Sequence, residues 1–267
     1  MVAIGSLLGL ILAVAGWFLL TTPRPTDIKS CLVTKLYHVS LCPKGESYVP
    51  IRDISIHARN AVIVSEDGTF YSHHGFDWDE LKNSFDKNMA KGSYARGGST
   101  ITQQLAKNVY LSSDKSLLRK VREALITLQL ENILKKDEIL EKYLNVVEFG
   151  PELYGIGPAS QYYFSKPANL LSPAEGAFLA FLLPNPKKYS VSFRKKQLTH
   201  FAYRQISEIV DRLYRYKKLS DDEHSQALAQ IPRLFGVPAV DPSLEQALDG
   251  VTPSEDEAAV PDDSSGN

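Results

Sequence analysis

The sequence predicts a mainly α protein, a helical body carried behind one N-terminal transmembrane helix. Three observations predict it. Residues 2–20 hold no charged side chain and are almost wholly aliphatic, aromatic or Gly, and about 20 apolar residues span a bilayer as a helix. From Ile51 onward, apolar residues recur at helical spacing behind Ser, Thr and Asp placed where N-caps belong. Three pairs spaced as capping boxes, Thr100 with Gln103, Ser172 with Glu175 and Ser220 with Glu223, mark helix starts inside that body.

The first element is the anchor, residues 1–21. A cleavable signal peptide is the rival reading, but the run is long for one and Trp17-Phe18-Leu19-Leu20-Thr21-Thr22-Pro23 offers no small-x-small cleavage site. Arg24 and Lys29 follow the span, which taken alone would leave the body in the cytoplasm. Long domains translocate largely regardless of such a bias, so orientation stays open at this point. Residues 22–47 form a Pro-containing stalk that could fold as one β-hairpin against the body. Cys31 and Cys42 flank a Val/Leu/Tyr-rich stretch there, as a hairpin disulfide or as two free thiols.

The body, residues 48–240, reads as successive helices. Ser55 caps the first, with Ala58, Ala61, Val62 and Ile63 on its apolar face and its end near Glu66 and Gly68. Asp77 caps a second from Trp78 to about Met89. Ser99 and Thr100 open a third. A longer helix starts near Ser116, carries Leu117, Val121, Ala124, Leu125 and Leu128 at helical spacing, and runs to about Leu134. Asp137 caps the next, through Leu144. Ser172-Pro173-Ala174-Glu175 opens another, to Leu183, which Pro184 and Pro186 stop. A helix from about Arg194 to Tyr216 follows, and Ser220 opens the last. Residues 241–267 are acidic, Ser/Pro-rich and apolar-poor, and read as a disordered tail.

Charge is uneven along the chain. The tail holds eight acids and no Lys or Arg, leaving the other residues with 30 bases against 23 of the 31 acids. A basic body fits an anionic partner or surface. The six His are scattered and no CxxC pair exists, which argues against a structural zinc site.

Four constellations could carry chemistry. Glu66 sits at a helix-to-turn junction near Phe70 and Tyr71. Burial there would raise its pKa and make it a base or acid, although on composition alone a solvated carboxylate, or one bonded to the Gly68 turn, is the better reading. In the second, Gly97 and Gly98 precede Ser99 and Thr100, and free amides at such a helix start attract anions. Thr100, Gln104 and Lys107 share a helical face, as do Gln103 and Lys107, so together they would either clamp a phosphate or pyrophosphate or form a solvated polar helix with a good cap, and the residues alone favour neither. The P-loop spacing is absent. In the third, Arg119 and Lys120 precede Glu123 by four and three residues, as an ordinary surface ion pair or as a carboxylate held among cations. In the fourth, Glu141, Tyr143, Asn145 and Glu148 read as structural, a buried polar pair fixing a helix end beside the cleft.

Together these motifs resemble the peptidoglycan glycosyltransferases of family 51, the transglycosylase modules of class A penicillin-binding proteins and their monofunctional relatives. The first motif matches at Glu66, Asp67, Phe70, His73 and Gly75. The second matches at Gly97, Ser99, Thr100, Gln103, Gln104, Lys107 and Asn108. The third matches at Arg119, Lys120 and Glu123, and the fourth at residues 139–145. A fifth likeness runs from Tyr154-Gly155-Ile156-Gly157 through Tyr163-Phe164 to Ser172-Pro173-Ala174-Glu175. Asn145-Val146-Val147-Glu148-Phe149-Gly150 looks closest to the monofunctional enzymes. Nothing after residue 190 resembles a transpeptidase.

The resemblance implies a lysozyme-like α fold with an N-terminal membrane anchor in the inner (cytoplasmic) membrane and a body facing the periplasm or outer surface. That makes a Cys31–Cys42 disulfide more plausible. It implies lipid II and the growing glycan strand as substrates, the membrane and other cell-wall synthesis proteins as partners, and no nucleic acid. Residues 76–96 would be membrane-apposed, with Phe85, Met89 and Tyr94 among Lys82, Lys87 and Lys91. Glu66 would take the proton from the acceptor's 4-hydroxyl, and a β-1,4 bond would form with inversion as the lipid pyrophosphate leaves. Lys107, Arg119, Lys120 and the helix amides near Ser99 would stabilise the departing charge, with Asp67, Phe70, His73, Ser99, Thr100, Gln103, Gln104 and Asn108 completing the substrate site. Glu123 would be a second catalytic group, positioning a cation or assisting departure. No cofactor is certain, and Mg2+ or Mn2+ near Glu123 stays open. A lysozyme-like hydrolase and a non-catalytic membrane-anchored adaptor are the alternatives.

Overall fold

The computed structural model describes residues 16, 18, 20–82, 98–114 and 116–235. Most of the anchor, the segment carrying Lys87, Phe85, Met89, Lys91 and Tyr94, and the acidic tail lie outside the described residues. Among the described residues no helix is long and apolar enough to cross a membrane.

The protein is mainly helical. Strands β1 (Leu32–Val33) and β2 (Ser40–Leu41) come first, followed by α1 (Ile56–Glu66), α2 (Ile101–Tyr110), α3 (Leu117–Ile133) and α4 (Lys136–Val146). Strands β3 (Glu148–Gly150) and β4 (Leu153–Tyr154) lead into α5 (Ile156–Phe164), α6 (Pro173–Leu182) and the short α7 (Pro186–Tyr189) and α8 (Val191–Arg194). The long α9 (His200–Arg215) and α10 (Asp221–Phe235) close the described chain. Residues 78–82 are also helical, with Asp77 Oδ1 accepting the Glu80 N–H at 2.8 Å.

The core is built around α6, whose side chains from Ala174 to Leu182 are buried. Its mean character is apolar on every face, as a helix enclosed by neighbours requires. Helices α1, α9 and α10 pack around it. At the crossing with α1 a Cβ on Gly176 would lie 2.8 Å from Ala58 Cα, so glycine is what lets the two backbones meet. On the other side α2 lies against α3 and α4.

Residues 22–47 are packed into the body. Ile28 and Leu41 are fully buried, and Cys31 and Cys42 form a disulfide across the base of the antiparallel β1–β2 hairpin. The hairpin docks on α2, with the Lys35 and Leu36 N–H groups donating to Val109 O and Asn108 O at 2.9 and 3.2 Å. These carbonyls belong to the end of a helix and have no partner within it.

Local start signals behave as physical chemistry demands. Ser55, Thr100, Ser116 and Ser172 each cap their helix, and the Thr100–Gln103 and Ser172–Glu175 boxes are closed in both directions. Two expected helix starts need correction, those at Asp137 and at Arg194. Asp137 does not cap α4, which starts two residues earlier, at Lys136, with Glu138 accepting the Lys135 N–H at 2.8 Å while Asp137 accepts from Tyr71 OH. Pro186 opens α7 at its first turn rather than only stopping α6. The helix expected from Arg194 begins at His200, because Lys196 adopts a left-handed φ of 52° and Thr199 caps a fresh start. The apolar stripe of α3 is not its core face. Leu117, Val121 and Leu128 point outward, and Glu123, Ile126, Thr127 and Leu130 point in.

Candidate active site

Glu66 closes α1 and is half-buried where the chain turns toward Phe70. Its Oε2 accepts from Gln104 Nε2 at 2.8 Å, and Gln104 Oε1 in turn accepts from Tyr143 OH at 3.0 Å. Burial pushes the Glu66 carboxyl above its usual range. The Gln104 bond and the positive charges of Lys107 and Arg212 pull it back, and the neighbouring Asp67 pushes it up. The result is an acid that is poorly solvated yet supported in its ionised form.

The cations converge from α2 and α3. Glu123 is buried, accepts from Arg119 Nη1 at 2.8 Å and is bonded to Lys120 Nζ. Lys120 Nζ also reaches Ser99 Oγ at 3.3 Å. Lys107 lies within electrostatic reach of Glu123, Arg119, Lys120 and Glu66, and desolvation holds its ammonium below the usual lysine range.

One cavity of about 340 Å3 lies beside Glu66. It is lined by Glu66, Asp67, Asp77, Glu80, Ser99 and Thr100, and by Arg212 and Tyr216 from the end of α9, and Lys107, Arg119 and Lys120 are not among its walls. Ser99 is thus both a wall of the Glu66 cavity and a partner of Lys120. A larger cavity of about 500 Å3 lies at the other end of α1, beside Ser55 and Ser172, and holds none of the motif acids or cations.

Several residues expected at the substrate also have partners inside the protein. Asp67 is buried, with Oδ1 bonded to His73 Nε2 at 2.8 Å and Oδ2 accepting the Ile101 N–H at 2.9 Å. His73 Nδ1 accepts the Gly75 N–H at 3.1 Å, so Nε2 carries the proton that it donates to Asp67. Phe70 is wholly buried beneath Lys136, whose ammonium lies 4.6 Å from the ring centre. Thr100 donates to Gly75 O at 2.7 Å and exchanges capping bonds with Gln103, and Gln103 and Asn108 are both buried. Two of the helix amides near Ser99 are likewise taken. The Ile101 N–H holds Asp67 and the Gln103 N–H holds Thr100 Oγ1. The anion at this helix start is the protein's own carboxylate, which ties α2 to the turn after α1. Gly75 makes that turn possible, with φ at +88° and no room for a Cβ, which would lie 2.8 Å from Thr127 Cγ2.

The structure does not fit a divalent ion near Glu123. It is a single carboxylate with both oxygens taken by cations, and among the described residues no three acidic, His or Cys side chains group as metal ligands.

The fourth constellation is a brace. Glu141 Oε2 accepts the Ile51 N–H at 2.7 Å, and Asn145 bonds both the N–H and the O of Val49, at 2.8 and 2.9 Å. This fixes residues 48–51 along α4. Tyr143 has a further part as the donor to Gln104. The residues that sequence reasoning missed are Arg212 and Tyr216. They lie outside the motifs, on an amphipathic helix whose basic last turn was the one available signal.

A family model described as Transglycosylase matches residues 35–212. The chain is 48% identical over 154 residues to a biosynthetic peptidoglycan transglycosylase of Azoarcus sp. (strain BH72), covering 58% of this chain and 67% of that one. It is 42% identical over 178 residues to a protein of the same name from Dechloromonas aromatica (strain RCB), covering 65% and 77%. Among solved structures, penicillin-binding protein 1A of Haemophilus influenzae aligns at 26% identity and a TM-score of 0.29, over 48% of this chain and 15% of that chain. That overlap is too slight to carry an argument about the fold.

Proposed function

Since the chain belongs to the transglycosylase family and is a peptidoglycan glycosyltransferase, we propose that it polymerises lipid II with Glu66 as the general base and Lys107, Arg119 and Lys120 as the pyrophosphate clamp. The observation that carries this reading is the placement of Lys107 within electrostatic reach of both Glu66 and the Glu123–Arg119–Lys120 cluster, with Ser99, on the wall of the Glu66 cavity, meeting Lys120.

The chemistry follows from the charges. Glu66 must be ionised to accept the proton of the acceptor's 4-hydroxyl, and its poor solvation makes it a stronger base than an exposed carboxylate. As the acceptor oxygen bonds to the donor's anomeric carbon, the bond to pyrophosphate breaks on the opposite face. The configuration inverts and negative charge grows on the leaving phosphate. Preorganised cations lower the energy of that state more than of the bound substrate. Glu123 touches neither reactant in this scheme. It holds Arg119 and Lys120 in place and is a positioning residue. Gln104, oriented by Tyr143, holds the carboxylate of Glu66.

We extend the proposal to the setting. The helical body has a lysozyme-like arrangement, residues 1–21 anchor it to the inner membrane as a single span, and it faces the periplasm or outer surface. The Cys31–Cys42 disulfide supports an oxidising compartment. The growing glycan and other cell-wall synthesis proteins are its proposed partners.

Incubation of the full-length protein with lipid II, and separately with intact cell-wall sacculi, tests the reaction. Glycan polymer from lipid II is the expected product. Soluble fragments from sacculi without polymer would instead identify a hydrolase.

A further inference from the structure

The acidic segment that follows α10 has no part in the proposed reaction, and the structure shows where it leaves the body. Phe235 closes α10, with its ring centre 5.4 Å from that of Phe193 on α8 and 4.9 Å from that of Phe178. The Phe193 ring also carries the Lys196 ammonium, 3.7 Å from its centre. The chain therefore leaves α10 beside a ring that a base already covers.

That base is one of a cluster. Lys187, Lys188, Arg194, Lys195 and Lys196 lie on α7, α8 and the turn after them, each exposed, and residues 176–207 hold no Asp or Glu. Among the described residues no carboxylate is within ion-pair distance of Lys187, Lys195 or Lys196. Two acids do face the cluster. Glu148 acts on Lys187 from a buried position, and Glu152 shares with Tyr162, Phe193 and Arg194 the wall of an adjoining cavity of about 340 Å3. They leave most of the positive charge unopposed, and such a face attracts an anionic partner. The active-site cations are already committed, Arg119 and Lys120 to Glu123. The chain beyond Phe235 supplies the partner. Residues 236–267 hold eight acids and no Lys or Arg. The first, Asp241, stands six residues beyond Phe235, a span of at most about 20 Å, which brings it within reach of Lys196. Leu244 and Leu248 alternate with Glu245 and Asp249 and supply apolar side chains for the cavity. The covalent tether holds these acids over the bases at an effective concentration on the order of millimolar, an advantage that no free anion shares.

We propose that the acidic segment, residues 241–267, docks on the basic face formed by Lys187, Arg194, Lys195 and Lys196, beside the Phe193–Phe235 contact, and screens that face from other anions. The inference is independent of the reaction at Glu66.

Zero-length carbodiimide crosslinking of the full-length protein, mapped by mass spectrometry, tests it, because the reagent joins only a carboxylate and an amine that are in contact. At low ionic strength, links from the acids between Asp241 and Asp263 to Lys187, Lys195 and Lys196 should be several-fold more abundant than links to the exposed Lys44 and Lys217, all in protein of monomer mass. Salt at 1 M shortens the screening length to about 3 Å and should suppress them several-fold. Lys195→Glu with Lys196→Glu should cut the links to Lys187 several-fold without moving the unfolding midpoint. Links spread evenly over the exposed lysines, or no links from these acids, would overturn the proposal. Links concentrated on Lys107 or Lys120 would place the segment in the active-site groove, and links between two chains would assign the face to a second copy. Either result also overturns it, and none depends on turnover of lipid II.

Discussion

Tyr143 donates its hydroxyl to Gln104 Oε1 at 3.0 Å, which leaves the amide nitrogen of Gln104 facing Glu66 Oε2 at 2.8 Å. Tyr143 is wholly buried, and its phenol stays protonated because burial drives its pKa far above the usual range. One fixed donor therefore sets the orientation of the next. Tyr143→Phe frees the amide to turn its oxygen toward Glu66. Loss of about 1.4 kcal/mol corresponds to a tenfold fall in kcat, with KM little changed. The acid limb of the pH profile should also move up, because the Gln104 bond favours the ionised carboxylate. An unmoved acid limb would mean that Gln104 does not orient Glu66.

The pH–rate profile should be narrowed from both sides. Burial raises Glu66 above its reference of 4.5, and desolvation lowers Lys107 below 10.5. Activity falls on the acid side as Glu66 takes up its proton, and on the basic side as Lys107 loses its own. Initial rates on lipid II across pH check this, with Lys107→Arg expected to extend the basic limb upward.

Burial of Glu66 also acts on stability. A carboxyl with a raised folded-state pKa binds its proton more tightly folded than unfolded, so stability is lost as pH rises from the ordinary 4.5 through the raised value. Glu66→Gln removes that loss. Thermal unfolding at neutral pH should show a Tm higher by about 2 °C or more, and the difference should vanish below the ordinary carboxylate range. A lower Tm at neutral pH would contradict the burial argument.

Glu123→Gln leaves Arg119 and Lys120 without their anion. Arg119 keeps 20% and Lys120 49% of its side chain in water, so the stability loss is about 1 kcal/mol. The rate loss should be larger, ~10²-fold, because the clamp is no longer preorganised. Unfolding and turnover measured on one preparation separate the two effects.

The hairpin should be felt at the site. The Lys35 and Leu36 amides cap the end of the helix that carries Lys107, and the Cys31–Cys42 bond closes the loop behind them. Reduction, or Cys31→Ser with Cys42→Ser, should cost roughly 2–3 kcal/mol and lower turnover several-fold. An unchanged unfolding midpoint in reductant would show that the hairpin holds without it.

What was legible in the sequence was local. Thr100 with Gln103 and Ser172 with Glu175 announce helix starts because the bonds involved span three residues. The order of the motifs pointed to the family. Occupancy was not legible, because Asp67 meets the Ile101 amide and His73 through the fold, and nothing in the spacing shows that these groups are spent on one another. Arg212 reaches the Glu66 cavity from a helix that no motif marks. The stripe on α3 was visible as a period but not as a direction, since helical spacing does not say which face meets the core.

Glu66→Gln with lipid II is the most direct test of the central claim. Its carboxamide keeps the shape and the contact with Gln104 but cannot accept the acceptor's proton. The account predicts that the variant binds lipid II with wild-type affinity and forms no glycan polymer on a gel that resolves single additions. Polymer made at near wild-type rate would contradict it.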